Sequence, residues 1–392
     1  MTAEISILNT RCVALAADSA ITINSKKGHT KVYNYAKKIF SLSPDHAIGI
    51  MIFDNSQFLG LDWEIIISGF QKYISKQKVA KLHDVEEEFL KYIVSQAEFF
   101  ISEETLMYDL LNHIVQEIFD EHEELYDLDK KEFNQLFYYI LKQNSLTSIS
   151  KEDMMEFEEF YNSIFVKLSL YVTNYFAYIK DEYIFYKKNK EPLMKLTAAR
   201  IFLKNLPNKS GIVITGYGEE EMYPSLIELH LNSYLFENVI YSRKNVVDIH
   251  PEKMSACIIP FAQKEMVYTF MEGIDPYLHK VLIDSVKPTL EVLVDVIQEK
   301  TKSKLDFSNE VNFLVNQLEN VIIEIREEKF VNPILSTVEF LPKESLSEMA
   351  ETLINLTSFK RKISTDLETV GGPIDVAIIS KSNGFEWVNK KE

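Results

Sequence analysis

Cysteine is almost missing from this chain: Cys12 and Cys257 are the only two in 392 residues. Two thiols cannot supply a disulfide framework or a cysteine-rich zinc site, and a reducing cytoplasm is the simplest compartment for such a protein. Glycine and proline are scarce as well, at 11 each, which argues against disordered linkers and a turn-dense all-β fold. No stretch reaches the roughly 18 apolar residues of a membrane helix. The opening MTAEISILNTRCVALAADSA also lacks the basic and continuous apolar regions of a signal peptide, so no membrane partner is expected.

Positive charge is in deficit. The 42 Lys and Arg stand against 59 Asp and Glu, a formal net charge of −17, and phosphate neutralisation needs clustered cations that such a surface lacks, so nucleic acid is not a partner. The phosphate-loop, HExxH and GxSxG patterns are missing, and the 8 histidines offer no i, i+4 pair for zinc. Gly216-Tyr217-Gly218 lacks the third glycine of a dinucleotide fingerprint and reads as a strand end or bulge. The acidic run KEDMMEFEEF reads as a solvated helix face rather than a metal site.

What is present is a folded, layered chain. Hydrophobic residues make up 46% and charged residues 26%, close to the averages for globular proteins. Residues 4–8, 12–17, 39–42 and 46–52 are short β-rich runs. From Phe58 to about Lys204 aromatic and aliphatic residues recur at three- and four-residue steps with Glu and Lys between them, the pattern of helices packed on one another. Strands return over 211–218, 225–232, 238–249 and 254–260, helices over about 263–327 and 343–360, and a final hairpin turns at Asn383-Gly384. This order predicts sheets inside and helices outside.

Thr2, Asp18 in VALAADSAIT and Lys38 at the head of KIFSL are each ordinary alone. Together with HAIGIMI they occur in an order that resembles the proteasome β subunits and the bacterial HslV peptidase, which are N-terminal nucleophile (Ntn) hydrolases. The spacing from Thr2 to Asp18 matches without a gap, while Asp18 to Lys38 carries a small insertion in NSKKGHTKVYNY, placed in a surface hairpin. The resemblance covers residues 2–57, and it extends to the strand and helix pattern of about 210–275 and 343–390. It implies a four-layer αββα sandwich of two antiparallel sheets, an α+β fold with an added helical insertion. The core would lie at 1–79, 206–275 and 341–392, with a helical insertion at 80–205 and a helical extension at 276–340.

The resemblance also implies roles. Once Met1 is removed, Thr2 would supply both the Oγ nucleophile and a free α-amine of pKa about 7.7–8 as base. Lys38 would be the neighbouring cation, and Asp18 would hold it and balance its charge. The oxyanion donor would be a backbone N–H near Phe53 and Asp54, where the family places paired glycines and this chain reads Ile52-Phe53-Asp54-Asn55. ETVGGPIDVAIIS resembles the family's C-terminal segment, with Asp366 or Glu368 as supporting acid and Thr369 as a hydroxyl. No serine aligns near IIPFAQ, where Gln263 is the substitute.

The activity so implied is threonine-type peptide hydrolysis through an acyl-enzyme, on a peptide or protein substrate and with no cofactor, since hydroxyl, amine and Lys38 suffice. Family members usually form rings and often work with an ATPase unfoldase, so a homo-oligomer and such a partner follow from the resemblance. An Ntn amidase for a small amide and a catalytically silent assembly or regulatory protein are the alternatives. Mass spectrometry of the native protein is expected to show a chain that begins at Thr2; a retained Met1 would block the amine.

Overall fold

The computed structural model describes residues 2–24, 30–121, 135, 151–178, 183–207, 209–302, 306–364 and 371–390. Its strands, in chain order, are β1 (Ala3–Asn9), β2 (Cys12–Asp18), β3 (Ala20–Asn24), β4 (Thr30–Asn34), β5 (Ile39–Ser43), β6 (His46–Phe53), β7 (Gln57–Phe58) and β8 (Leu61–Asp62). After the helical region come β9 (Ser210–Gly216), β10 (Ser225–Leu235), β11 (Asn238–Asp248), β12 (Ala256–Ala262), β13 (Ile374–Ser380) and β14 (Gly384–Asn389).

Two five-stranded sheets dominate, ordered β12-β1-β2-β13-β14 and β11-β10-β9-β6-β5. Every neighbouring pair in both is antiparallel. Strand alternation sends Ile5, Ile7, Ala14 and Ile378 of the first sheet outward onto Leu346, Ala350 and Leu353 of the helix Lys343–Ile363. The opposite face sends Leu8, Val13 and Leu15 inward against Ile39, Met51 and Val213 of the second sheet. The outer face of the second sheet, with Phe40, Ile50 and Ile214, is covered by Trp63, Phe70 and Phe89 from the helices Trp63–Ile74 and Leu82–Gln96. The architecture is therefore the four-layer αββα sandwich, and both sheets are apolar on both faces because both faces are covered.

Helix Leu82–Gln96 belongs to this outer layer, so the 80–205 segment gives one helix to the sandwich before it departs. Its remaining described helices, Glu103–Glu121, Lys151–Tyr178 and Tyr183–Phe202, form their own core around Leu111, Phe157, Tyr175 and Leu193, seated on Leu235 at the end of β10. The strand expected at 254–260 runs from Ala256 to Ala262, because Met254 bridges back to His250 in a turn. The helical stretch expected over 263–327 is three helices, Glu265–Glu272, Pro276–Thr301 and Ser308–Arg326. Gly273 at φ 72° closes the first, and Asp275 caps the second by accepting from the N–H groups of Tyr277 and Leu278. The stretch before Lys38 contains the antiparallel β3–β4 pair.

Asn9 joins two layers. At the β1–β2 turn its Oδ1 accepts from the N–H groups of Arg11 (3.0 Å) and Cys12 (3.1 Å), while its Nδ2 donates to the carbonyls of Val338 (2.9 Å) and Leu341 (3.0 Å). Asn9→Ala removes a hydrogen-bond partner from four backbone groups, two of them part-buried, and urea denaturation is expected to show a loss of about 1–3 kcal/mol.

Candidate active site

The cleft forms where the sheets' first strands meet. Thr2 precedes β1, and its carbonyl accepts from the N–H of Gln263 at 3.2 Å, which extends the β1–β12 ladder by one step. Asp18 ends β2, across from the start of β1, and its Oδ1 accepts from the Ala3 N–H at 3.0 Å. Lys38 stands just before β5, and its carbonyl accepts from the Ile52 N–H at 2.9 Å, so the end of β6 is fixed beside it.

Lys38 Nζ lies 2.5 Å from Asp18 Oδ1 and 3.1 Å from Glu4 Oε1. The other Asp18 oxygen accepts from the N–H groups of Gly371 (3.0 Å) and Ala20 (3.3 Å). Thr2, Glu4, Asp18 and Lys38 are each no more than 5% exposed. An ammonium so buried is held by carboxylates or not at all. On the cleft rim, by contrast, Lys37 and Glu64 pair at 3.4 Å in full contact with solvent, where an ion pair contributes little.

Glu4 is the residue that sequence reading missed. Burial pushes its carboxyl up to about 7; the Lys38 charge opposes this, and the Asp18 charge reinforces it. Contacts with Thr2 and Lys38 also pull it down, yet neither its oxygens nor Thr2 Oγ1 make a hydrogen bond of good geometry among the described residues. The available signal was a period of two: Thr2, Glu4 and Ser6 share one face of TAEISILN, and that face turns out to point between the sheets.

A cleft of about 400 Å³ opens over this group, lined by Thr2, Lys38, Phe53, Asp54, Asn55 and Asp62 among others. The Phe53 ring packs on Phe261 (5.2 Å between centroids) and lies over Gly211, where an added Cβ would come within 2.1 Å of it. Asp54 has φ 66°, the left-handed conformation that a glycine adopts freely and that short Asp tolerates better than most side chains. The turn after β6 thus keeps a glycine-like backbone without a glycine. The Ile52 N–H points to β5, and Asp54 follows Phe53 out of the strand into the turn that lines the cleft.

The structure therefore brings Thr2, Asp18, Lys38 and Phe53 to one cleft, with Asp54 beside them. Asp366, Glu368 and Thr369 lie outside the described residues. Gly371, just after them, reaches Asp18 directly. Gln263 contributes its backbone N–H to Thr2. No cluster of three or more His, Cys, Asp or Glu suited to a metal occurs among the described residues, nor does a helix long and apolar enough to cross a membrane.

Two outcomes follow. Between about pH 4.5, the unperturbed value, and about 7, native Glu4 keeps a proton that the unfolded chain has lost, so stability falls as pH rises through that window. Thermal melts from pH 4.5 to 8 are expected to decline more steeply in the parent than in Glu4→Gln, whose side chain cannot titrate. Lys38→Ala leaves two buried carboxylates uncompensated and is expected to cost about 3–5 kcal/mol in urea denaturation at pH 8, less at pH 5, where Glu4 is neutral.

No family model matches this chain, and no curated protein matches it. Among solved structures it is similar to the Anbu (Gly-1) mutant from Hyphomicrobium sp. strain MC1, at 9% identity over 100% of this chain and 86% of that one, with a TM-score of 0.29. A likeness at that level says nothing about chemistry, and the sandwich described above stands on this chain's own strand order and packing.

Proposed function

We propose that the chain is a proteasome-like N-terminal threonine hydrolase that cleaves peptide bonds through an acyl-enzyme on Thr2, once Met1 has been removed. The observation that carries this reading is the Lys38 ammonium, fixed by Asp18 at 2.5 Å at the floor of a cleft that Thr2 also lines. A hydroxyl, a terminal amine and a held cation are the minimum set for this chemistry.

The steps balance as follows. The Thr2 α-amine takes the hydroxyl proton as Oγ bonds to the carbonyl carbon. Charge then develops on the carbonyl oxygen, for which a backbone N–H of the turn at Phe53 and Asp54 is the candidate donor and Lys38 the nearby cation. The tetrahedral adduct collapses, the peptide nitrogen leaves with the proton held by the amine, and an ester on Thr2 remains. Water, deprotonated by the same amine, attacks that ester, and the released Oγ recovers its proton. Asp18 reacts with nothing; it holds Lys38 in place.

The cleft supports a peptide over a small enclosed amide. None of the described residues of the 80–205 segment lines it. A homo-oligomeric assembly fed by an ATPase unfoldase accompanies this reading.

The test is an electrophile selective for N-terminal threonine, followed by peptide mapping. The adduct is expected on Thr2 in the parent and nowhere in Thr2→Ala, with labelling slowed by about 10²–10⁴-fold in Asp18→Ala and Lys38→Ala. A parent with a free Thr2 that stays unlabelled would mean a silent scaffold, and turnover of small amides without cleavage of unfolded protein would mean an amidase.

A further inference from the structure

The helices Pro276–Thr301 and Ser308–Arg326 form an arm with almost no core of its own. Not one residue of the first is buried, and only Val311 of the second is. They run antiparallel: Arg326 at the end of the second bonds Glu272 just before the first at 2.9 Å, while Val294 and Gln298 share a groove with Phe307 and Val311 at the far end.

Each helix carries two apolar stripes. The inner one consists of half-buried Ile283, Val286, Leu290 and Val294 on the first helix and of buried Val311 with half-buried Val315 and Ile322 on the second. The outer stripe is exposed and sits one position earlier along each helix. Leu278, Leu282 and Leu293, with Ser285 and Thr289 between them, make it on the first; Leu314, Leu318, Val321 and Ile325 make it on the second. One position is a rotation of about 100°. Since the same offset applies to two antiparallel helices, it turns both outer stripes to the same side of the pair. The result is one continuous apolar trough, with heptad-like steps of three and four along each wall.

Scattered exposed apolar residues need no explanation, but an ordered trough does. The second helix is 19 residues long, so the trough runs about 28 Å, room for about five turns of a third helix. Its borders are acidic. By position on the helices, Glu299 edges one side and Glu310 and Glu324 the other, with Lys300 the one cation on this face, near the tip. A second copy of this chain would bring the same acids against one another, at a net charge of −17 per chain.

We propose that this trough docks an amphipathic helix of a partner protein whose apolar stripe is flanked by Lys and Arg. The apolar stripe supplies the contact area, and the flanking cations match the acidic borders and set the choice of partner. This inference is independent of the chemistry at Thr2.

The test uses the full-length protein and two fluorescent synthetic helices of about 20 residues with one leucine stripe, flanked by Lys in one and by Glu in the other. Anisotropy is expected to show the Lys-flanked helix binding at least about tenfold tighter, with affinity falling as salt rises. The double variant Leu282→Ser/Leu318→Ser, altered only at exposed positions, is expected to lose at least about tenfold of that affinity with unchanged far-UV circular dichroism. Equal binding of both helices, or undiminished binding by the double variant, overturns the proposal. So does a parent that light scattering finds dimeric while the double variant is monomeric, since the trough would then be closed by a second copy.

Discussion

The Asp18 carboxylate is the point on which distant parts of this molecule converge. It receives the Ala3 N–H from the first strand, the Lys38 ammonium from the edge of the other sheet, the Ala20 N–H from its own strand's exit, and the Gly371 N–H from the approach to the last core hairpin. Four donors on one ionised group are stronger together than neutral bonds would be, because each meets full negative charge away from water. They also fix geometry. The start of β1, the head of β5 and the entry to β13 cannot move independently, so Thr2 and the cation lining its cleft are placed by a single side chain rather than by a flexible loop.

Most of this frame was readable from the residues because each sandwich strand is a short run with strong β preference and polar punctuation, and because Asp18 and Lys38 stand at strand ends where charges can gather. What was not readable has physical reasons. Glu4 looks like the solvent-facing residue of a half-buried strand, and only when a second sheet covers that face does position four become interior. Asp54 carries no glycine signature, so its left-handed backbone is invisible until the turn is built. Helix Leu82–Gln96 has the same charge-spaced texture as the insertion that follows, and nothing in its composition tells that it packs on a sheet and not on other helices. The breaks at Gly273 and Lys302 divide an apparently continuous helical stretch, since propensity averages across a window while a break needs one residue at positive φ.

The inward face of β1 is costly. Thr2 Oγ1, both Glu4 oxygens and Ser6 Oγ are buried without hydrogen bonds of good geometry among the described residues, and a stranded polar atom costs about 1–3 kcal/mol. The opposite face of the same strand carries Ala3, Ile5 and Ile7 in close apolar packing. A strand this polarised loses stability on one side that it recovers on the other.

The arm obeys the reverse rule. Because Pro276–Thr301 contributes no buried residue, a substitution on its exposed face meets no core neighbour, so side chains there can change without opening a cavity in the sandwich.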